Sequence, residues 1–386
     1  MKIAIFFSLF ILVFGSTGYY LYIRLVQAFE GTFINSKWFL VGYIFLMTSF
    51  IIGKIIEQFS VGVLSHLLVN IGSITLGFFF YALLSVVLID FFRIINHFIP
   101  FFPDFITANL HKTRFVLGLI TSALVLLIVG KGYINAYTPQ ITEVEIEINK
   151  PKATFETLNI VAISDIHLGT MVNTSKVQRL IDAVNRINPD VVIIAGDNID
   201  NNIKVVMQDQ LLELFKQLNP KYGIYSCMGN HEYISGAHHE LDYFFQNGIQ
   251  MVKDTAVFVA EQFFIIGRDD ISAQRLSGNR RKTIEELSKE IDFDFPVILL
   301  DHQPFRLNET AKFPIDLQFS GHTHNGQIWP ANYITGMLFE QDWGYLKKKN
   351  THFYISAGFG TAGMPIRVGS HSEIVYIRMV NKNRVK

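Results

Sequence analysis

Long runs of apolar residues dominate the first third of the chain. Four runs contain no Asp, Glu, Lys or Arg, and they cover residues 3–23, 38–53, 67–89 and 115–130. About 20 apolar residues span the hydrocarbon core of a bilayer, so the first and third runs are long enough. The second and fourth are shorter, but the lysine or arginine at each of their ends can snorkel and lengthen them. The pattern predicts an anchor of about four transmembrane helices over residues 1–140.

Two other interpretations fit parts of this region. The runs could be buried helices of a soluble domain, and the first run, which follows Lys2, could be a cleaved signal peptide. Four apolar runs leave almost no polar face for a soluble domain, and removal of a signal peptide would still leave three spans. We therefore expect an integral protein of the cell membrane, with the lipid bilayer as its immediate partner.

The basic residues between the runs predict an orientation, because Lys and Arg favour the cytoplasmic side. The connections after the first and third runs share one side and hold five basic residues, Arg24, Lys37, Arg93, Lys112 and Arg114. The opposite side holds three, Lys2, Lys54 and Lys131. This bias predicts that the part of the chain after residue 140 is extracytoplasmic.

After residue 140 the pattern changes to short strands and amphipathic helices. Glutamates alternate with Val and Ile over 143–148, which predicts a half-exposed strand, and apolar residues at helical spacing predict a helix over 174–187. Other apolar runs predict strands at 158–164, 191–195, 222–228, 256–259, 263–266, 296–300, 314–319, 351–356 and 373–379. Further helices are predicted at 203–218, 237–247 and 282–291. This alternation predicts an α/β domain over residues 141–386.

Composition supports the same division. The chain has 33 basic and 33 acidic residues, and only 12 of these charged residues precede residue 141. The net charge of zero argues against a strongly basic nucleic-acid binder, so no nucleic acid is expected as a partner. The single cysteine, Cys227, excludes an intrachain disulfide, and we expect it to be buried rather than nucleophilic.

Five predicted strands run directly into clusters of Asp, His, Asn and Gly. The clusters are Asp165-Ile166-His167, Gly196-Asp197, Gly229-Asn230-His231-Glu232, Asp301-His302 and Gly321-His322-Thr323-His324. In α/β sheets, ligands bind beyond the carboxyl ends of strands, so we expect these clusters to converge at one edge.

The residue types in the clusters are metal ligands. Carboxylate oxygen and imidazole nitrogen, without thiolate, suit Mn, Fe, Zn or Co. Seven such side chains are too many for one ion and suit two divalent ions that share a carboxylate. Two neighbouring ions can clamp a phosphoryl group and lower the pKa of a bridging water, which gives a hydroxide nucleophile.

The ordered set resembles the calcineurin-like metallophosphoesterase superfamily, whose pattern is D-x-H, GD-x-x-D, GNH-E/D, a later His and GH-x-H. Here it reads Asp165/His167, Gly196-Asp197/Asp200, Gly229-Asn230-His231-Glu232, His302 and Gly321-His322/His324. The resemblance covers about residues 155–380. The segments GHTHNGQIWP (321–330) and GFGTAGMPIRVGSHSEIV (358–375) look like the membrane-linked bacterial branch. The implied fold is a four-layer αββα sandwich with the metals at one end.

The resemblance also implies roles for individual residues. One ion would be held by Asp165, His167, Asp197 and His324, and the other by Asp197, Asn230, His302 and His322. Asn230 would also orient the phosphate, and His231 would protonate the leaving group or stabilise charge in the transition state. Asp200 and Glu232 would orient the ligands from behind, and Arg367 is expected either in a surface salt bridge or on the substrate phosphate.

The sequence thus predicts a membrane-anchored phosphodiesterase or phosphatase that uses a metal-bridging hydroxide. A phosphodiester is the expected substrate, and the anchor suggests one that is linked to lipid. No protein partner is predicted. The competing hypothesis is a non-catalytic, metal-binding membrane scaffold. Such a protein would be expected to lose some metal ligands, whereas every ligand position of the pattern is occupied here.

Overall fold

The computed structural model describes the chain from residue 2 to residue 384, and its side chains from residue 12 onward. The chain packs into two compact units, Met1–Gly132 and Tyr133–Lys386. Each unit has its own interior and is described separately.

The first unit is helical. Its helices are α1 (Lys2–Ala28), α2 (Lys37–Phe59), α3 (Val63–Phe98), the short α4 (Asp104–Thr107) and the start of α5 (Leu110–Tyr137). Gly53 and Gly72 let α2 and α3 pack closely, since a Cβ at Gly72 would lie 2.2 Å from the backbone nitrogen of Phe50.

Three helices between residues 2 and 384 combine the length and apolar composition that a bilayer crossing needs, and they are α2, α3 and α5. The expected membrane region is therefore present, with three such helices rather than about four. The first predicted span falls in α1, whose side chains up to residue 11 lie outside the described residues. A crossing by α1 stays a prediction.

The second unit contains two six-stranded sheets. The first has the order β1-β12-β2-β3-β4-β5, with strands β1 (Gln140–Ile148), β2 (Thr157–Ile163), β3 (Val191–Ile194), β4 (Ile224–Ser226), β5 (Ile249–Met251) and β12 (Glu373–Asn381). The second has the order β10-β11-β9-β8-β7-β6, with strands β6 (Thr255–Val259), β7 (Phe263–Gly267), β8 (Val297–Leu300), β9 (Leu317–Ser320), β10 (Gly344–Lys348) and β11 (Thr351–Ile355). Strands β2, β3, β4 and β5 are parallel, and so are β7, β8, β9 and β11.

Both faces of each sheet are buried, which explains the continuous apolar runs of these strands. Ile160 packs between the two sheets, where it shares a cluster with Ile298, while its neighbour Val161 packs on the opposite face with Leu180 of helix α6 (Thr174–Ile187). On the far side of the second sheet, Leu299 belongs to a cluster with Ile284 and Leu287. The layers are therefore helix, sheet, sheet and helix, as the αββα prediction required.

The helices of this unit are α6 (Thr174–Ile187), α7 (Ile203–Gln208), α8 (Asn230–Ile234), α9 (Leu241–Gln246), α10 (Ala273–Ser277), α11 (Ile284–Leu287), α12 (Leu307–Thr310) and α13 (Ala331–Leu338). Helix α6 has the predicted bounds because Asn173 caps its first turn and Asn188, in the left-handed conformation, ends it. The predicted helices at 203–218, 237–247 and 282–291 were too long. The first divides into α7 and a 3₁₀ turn, the second into a 3₁₀ turn and α9, and the third is reduced to α11.

Candidate metal centre

The predicted ligands follow the carboxyl ends of parallel strands in both sheets. Asp165 and His167 follow β2, Asp197 follows β3, and Asn230 begins α8 after β4. His302 follows β8, and the His322/His324 pair follows β9. Five of these seven residues have left-handed backbone conformations, with φ of 51° at Asp165, 52° at His167, 52° at Asp197, 73° at His322 and 51° at His324. Such conformations cost about 1–3 kcal/mol each and are typical of functional sites.

One group of ligand atoms comes from Asp165, His167 and His324. The Nε2 atoms of the two histidines lie 3.1 Å apart. Oδ1 of Asp165 is 3.4 Å from Nε2 of His324 and 3.9 Å from Nε2 of His167. These three atoms can contact one ion.

A second group comes from Asp197, His302 and His322. Nε2 of His302 lies 3.2 Å from Oδ2 of Asp197 and 3.3 Å from Nδ1 of His322. The same Oδ2 of Asp197 is 3.9 Å from Nε2 of His167 in the first group. One carboxylate oxygen of Asp197 therefore lies close to both groups.

The distances and the donor set fit metal ions. Ligands about 2.0–2.2 Å from a tetrahedral ion lie roughly 3–3.5 Å from one another, which is the spacing of the ring nitrogens in both groups. Oδ1 of Asn230 is buried and has no hydrogen-bond partner among the described residues. An unsatisfied buried acceptor costs about 1–3 kcal/mol, and a bound cation would remove that cost. The residues present could thus hold two ions.

Hydrogen bonds fix the orientation of the ligand side chains. Asp165 accepts hydrogen bonds from the Ser164 hydroxyl at 2.5 Å and from the backbone N–H of His322 at 3.0 Å. Nδ1 of His302 lies 2.7 Å from the Ala195 carbonyl, so the ring donates there and its Nε2 stays available as a ligand.

Glu232 supports the loop that carries Asp197. Its carboxylate accepts hydrogen bonds from the backbone N–H groups of Asp197 at 3.0 Å, Asn198 at 2.7 Å and Gly229 at 2.7 Å. Glu232 is fully buried and shares no group of ligand atoms with the histidines. Its place behind the ligands agrees with the role expected from the sequence.

His231 lies beside the first group. Its backbone N–H donates to Oδ1 of Asp197 at 2.9 Å, and its ring lies 4.6 Å from the ring of His167. Nδ1 of His231 is 2.5 Å from the carbonyl oxygen of Asp200. About 18% of the His231 side chain is exposed, so this ring can reach a bound molecule.

A third group of possible ligands joins His167, Asp200 and His231. Oδ1 of Asp200 lies 3.6 Å from Nδ1 of His167 and 3.9 Å from Nδ1 of His231. Because Nδ1 of His231 is already engaged with the Asp200 carbonyl, we interpret these contacts as support for the two rings rather than as a third ion site.

Comparison with known proteins identifies the family. The family model for calcineurin-like phosphoesterases matches residues 158–326. A metallophosphoesterase of Aquifex aeolicus is 33% identical over 255 residues, which cover 65% of this chain and 95% of that protein. The chain belongs to the calcineurin-like metallophosphoesterases.

Two other matches come from Danio rerio. A transmembrane protein with a metallophosphoesterase domain is 32% identical over 277 residues, which cover 68% of this chain but only 62% of that longer protein. A solved dimetal phosphatase is 12% identical with a TM-score of 0.31, covering 51% of this chain and 86% of that chain. The transmembrane relative and the three span-length helices make this metallophosphoesterase a membrane protein.

The electrostatics of the metallophosphoesterase site keep its two carboxylates ionised. Burial by itself favours neutral carboxyl groups, but His324 and His302 hold the pKa of Asp165 below its usual range, and His302 does the same for Asp197. Burial lowers the pKa of His324 well below its usual range. At His302 burial opposes the charge, but Asp197 and Asp165 raise the pKa well above its usual range. Two ionised carboxylates thus share a buried site with the imidazole rings of His302 and His324, and these groups together could bind a cation.

Arg367 of the metallophosphoesterase differs from the sequence interpretation. Arg367 was expected in a surface salt bridge or on substrate phosphate, yet it is fully buried. Its Nη2 donates to the carbonyls of Gly358 at 2.9 Å and Gly360 at 2.7 Å, and lies 3.2 Å from Nδ1 of His324. Asp301, next to His302, is held by Arg268 at 2.8 Å and by Arg281 at 2.9 Å.

Two of the supporting groups have little signal in the sequence. Ser164 donates a hydrogen bond to Asp165, but serine is common at strand ends. Only its place next to Asp165 in the sequence indicated this role. Arg367 lies in a motif that resembles the family, but the motif does not reveal its contact with His324. These partners become visible only when separate strands are brought together.

Proposed function

We propose that the chain is a membrane-anchored, dinuclear-metal phosphoesterase, with the anchor in Met1–Gly132 and the catalytic machinery in Tyr133–Lys386. The observation that carries this proposal is the position of Asp197. Its Oδ2 lies 3.2 Å from Nε2 of His302 and 3.9 Å from Nε2 of His167, so one carboxylate can serve two neighbouring ions.

The first ion would be held by Asp165, His167, Asp197 and His324, and the second by Asp197, Asn230, His302 and His322. Two divalent ions there would offset the negative charge of a phosphate ester and make a water molecule more acidic. The protein supplies rigid ligands on the ends of β2, β3, β8 and β9, and Glu232 holds the backbone around Asp197.

His231 is the proposed proton donor. The hydrogen bond from Nδ1 to the Asp200 carbonyl fixes the ring and leaves Nε2 as the atom that can exchange a proton with the leaving oxygen. The neighbouring Asn230, whose Oδ1 has no hydrogen-bond partner among the described residues, would help to position the phosphate through its side-chain N–H groups.

We propose a phosphodiester linked to lipid as the substrate, since the transmembrane helices keep the catalytic unit near lipid headgroups. The proposed setting is the cell membrane, with the catalytic unit on its outer side. The excess of basic residues after the first and third apolar runs of the sequence supports this orientation.

The first test measures metal content and turnover together. The full chain, purified in detergent and loaded with Mn or Zn, should retain about two ions per chain. It should hydrolyse bis-(p-nitrophenyl) phosphate faster than p-nitrophenyl phosphate. Asp197→Asn should lose ions and activity together. His371→Ala is the control, because His371 is exposed and belongs to no ligand group.

A second variant separates an enzyme from a metal-binding scaffold. His231→Gln keeps the backbone N–H that bonds Asp197 but removes the imidazole, so metal content should be unchanged while turnover falls by about 10²–10⁴. Metal retention without hydrolysis by the unaltered chain, on both esters, would favour the scaffold.

A further inference from the structure

The membrane unit contains a cavity that the proposed chemistry does not use. It lies among α1, α3 and α5 and has a volume of about 440 Å³. Its walls are largely apolar and include Leu21, Phe29, Phe78, Val86, Leu117 and Val125. Ligand pockets are usually about 300–1,000 Å³ with apolar walls and a few polar groups, so this cavity is large enough for part of a small molecule.

Charged residues collect in the same cavity. Arg24, Arg93 and Arg114 line it, and Asp90 is the one acidic residue that does so among the described residues. Asp90 pairs with both Arg24 and Arg93 and accepts a hydrogen bond from Tyr20 at 2.5 Å. The three arginines and Asp90 together therefore carry a net charge of +2.

Part of the arginine hydrogen-bonding capacity is unused. Nε of Arg24 is buried and has no hydrogen-bond partner within the described chain. The side chain of Arg114 makes no ion pair or hydrogen bond with any described residue. Guanidinium groups match phosphate in shape and charge, and such charge-assisted bonds are among the strongest in proteins. A second cavity of about 490 Å³ shares Arg24, Asp90 and Arg93, so the charged end has additional room.

We propose that this cavity binds an anionic phospholipid, with the phosphate at Arg24 and Arg114 and an acyl chain along the apolar walls. The surroundings supply such a ligand, because α3 and α5 have the length and composition of membrane spans. A free phosphate ion would leave the apolar walls without a partner, and a neutral lipid would leave the positive charge without one. This inference needs no metal and no hydrolysis, so it stands or falls separately from the phosphoesterase proposal.

The charge can be tested by lipid retention. The full chain is purified in a mild detergent, exposed to phosphatidylglycerol or to phosphatidylcholine with the same acyl chains, and analysed by native mass spectrometry. Phosphatidylglycerol should be retained and phosphatidylcholine should not. Arg114→Gln should weaken retention about fivefold, as expected for one basic group near lipid phosphate. Lys131→Gln, on the same helix but outside the cavity, should leave retention unchanged.

The shape can be tested by filling the cavity. Ser122 lines it and the adjacent Ala123 does not, so Ser122→Phe should reduce retention and Ala123→Phe should not. Equal retention of both lipids, or equal losses in Arg114→Gln and Lys131→Gln, would overturn the proposal. Protection of the chain against heat by inorganic phosphate alone, as strong as that by phosphatidylglycerol, would also overturn it and indicate a simple anion site.

Discussion

The carboxylate of Asp197 leaves no room for a side chain at position 229. A Cβ at Gly229 would lie 2.2 Å from Oδ1 of Asp197 and 2.5 Å from its backbone nitrogen. The backbone φ of Gly229 is −112°, which any residue can adopt, so space rather than backbone conformation requires glycine here. Asp197 belongs to the second ligand group and its Oδ2 lies close to the first, so a displacement there should reach both groups.

We expect Gly229→Ala to lower metal affinity and turnover by roughly 10–100-fold, the usual effect of disturbing the support of a ligand. The matched control is Gly336→Ala, where the nearest atom to an added Cβ is 3.8 Å away. Metal titration and ester hydrolysis by the full chain check both. Wild-type metal content in Gly229→Ala would mean that Asp197 is not a ligand.

Arg367 is the second residue whose surroundings make a prediction. Burial lowers its pKa to about 10, yet it remains charged at neutral pH and satisfies the carbonyls of Gly358 and Gly360. Arg367→Met would leave those carbonyls without a partner, which costs about 1–3 kcal/mol each. We expect an apparent melting temperature at least about 4–8 °C lower.

The control for this variant is Arg378→Met. Arg378 forms an exposed ion pair with Glu145, and such pairs contribute little to stability. Differential scanning fluorimetry of the full chain in detergent compares the two. Similar melting temperatures for both variants would contradict a supporting role for Arg367.

Sequence reasoning at the residue scale worked where chemistry depends on residue type and position along a strand. Asp165, Asp197 and His302 follow apolar runs directly, and parallel strands bring their carboxyl ends together. It failed for Arg367, because a charged residue after a glycine-rich turn usually lies at the surface. Nothing local shows that two carbonyl groups and His324 surround it.

At the scale of elements, one buried ion pair joins segments from opposite sheets. Lys150 follows β1 of the first sheet and lies 3.0 Å from Asp316, which precedes β9 of the second. The lysine also donates to the carbonyls of Phe293 at 2.9 Å and Pro314 at 3.2 Å. Burial raises the pKa of Asp316, while Lys150 partly opposes that shift.

Lys150→Met should destabilise the chain by about 3–5 kcal/mol at pH 7, because it leaves a buried carboxylate without its partner. A carboxyl group whose pKa is higher in the folded than in the unfolded chain binds a proton on folding. Its contribution is therefore unfavourable above the folded pKa, is relieved as the pH falls through that pKa, and disappears below the unfolded pKa. The deficit should shrink as the pH falls from 7 towards about 4.

Melting temperatures across this pH range provide the measurement. Lys152→Met is the control. Lys152 lies two residues after Lys150 in the sequence, and its ion pair with Asp292 is exposed. The double variant Lys150→Met/Asp316→Asn should recover much of the loss. A deficit in Lys150→Met that does not change with pH would exclude the buried carboxylate as its cause.

The elements themselves were predictable to different degrees. Strands β2, β3 and β8 are buried on both faces, so their sequences are short apolar runs that stand out. Helix α6 has an apolar face and a capping residue at each end. The segment 203–218 has a capping residue at its start, Asn202, but the left-handed backbone of Gln210 divides it. Strands β5 and β10 were not predicted, because they are short and partly exposed edge strands.

At the scale of the whole molecule, orientation in the membrane is the main prediction. Cys227 is fully buried and burial raises its thiol pKa well above the usual range, so it should not react with maleimides. Maleimide labelling of a cysteine introduced at an exposed site should therefore not be obscured by labelling of Cys227. Lys112→Cys lies in the first turn of α5, and Lys216→Cys lies in the second unit, both at exposed positions.

A membrane-impermeant maleimide should label Lys216→Cys in intact cells and label Lys112→Cys only after the membrane is opened. The unaltered chain, treated in parallel, checks that Cys227 does not react with the maleimide. The reverse pattern would place the second unit in the cytoplasm and contradict the orientation inferred from the basic residues.

The position of β12 has a consequence for synthesis. This strand lies between β1 and β2, although it comes last in chain order. A ribosome that has reached residue 372 has already made β1 and β2 but not the strand that joins them, and both would present open edges. A chain that terminates shortly before β12 should therefore have an incomplete first sheet with exposed strand edges. We expect it to aggregate or to be degraded by proteases.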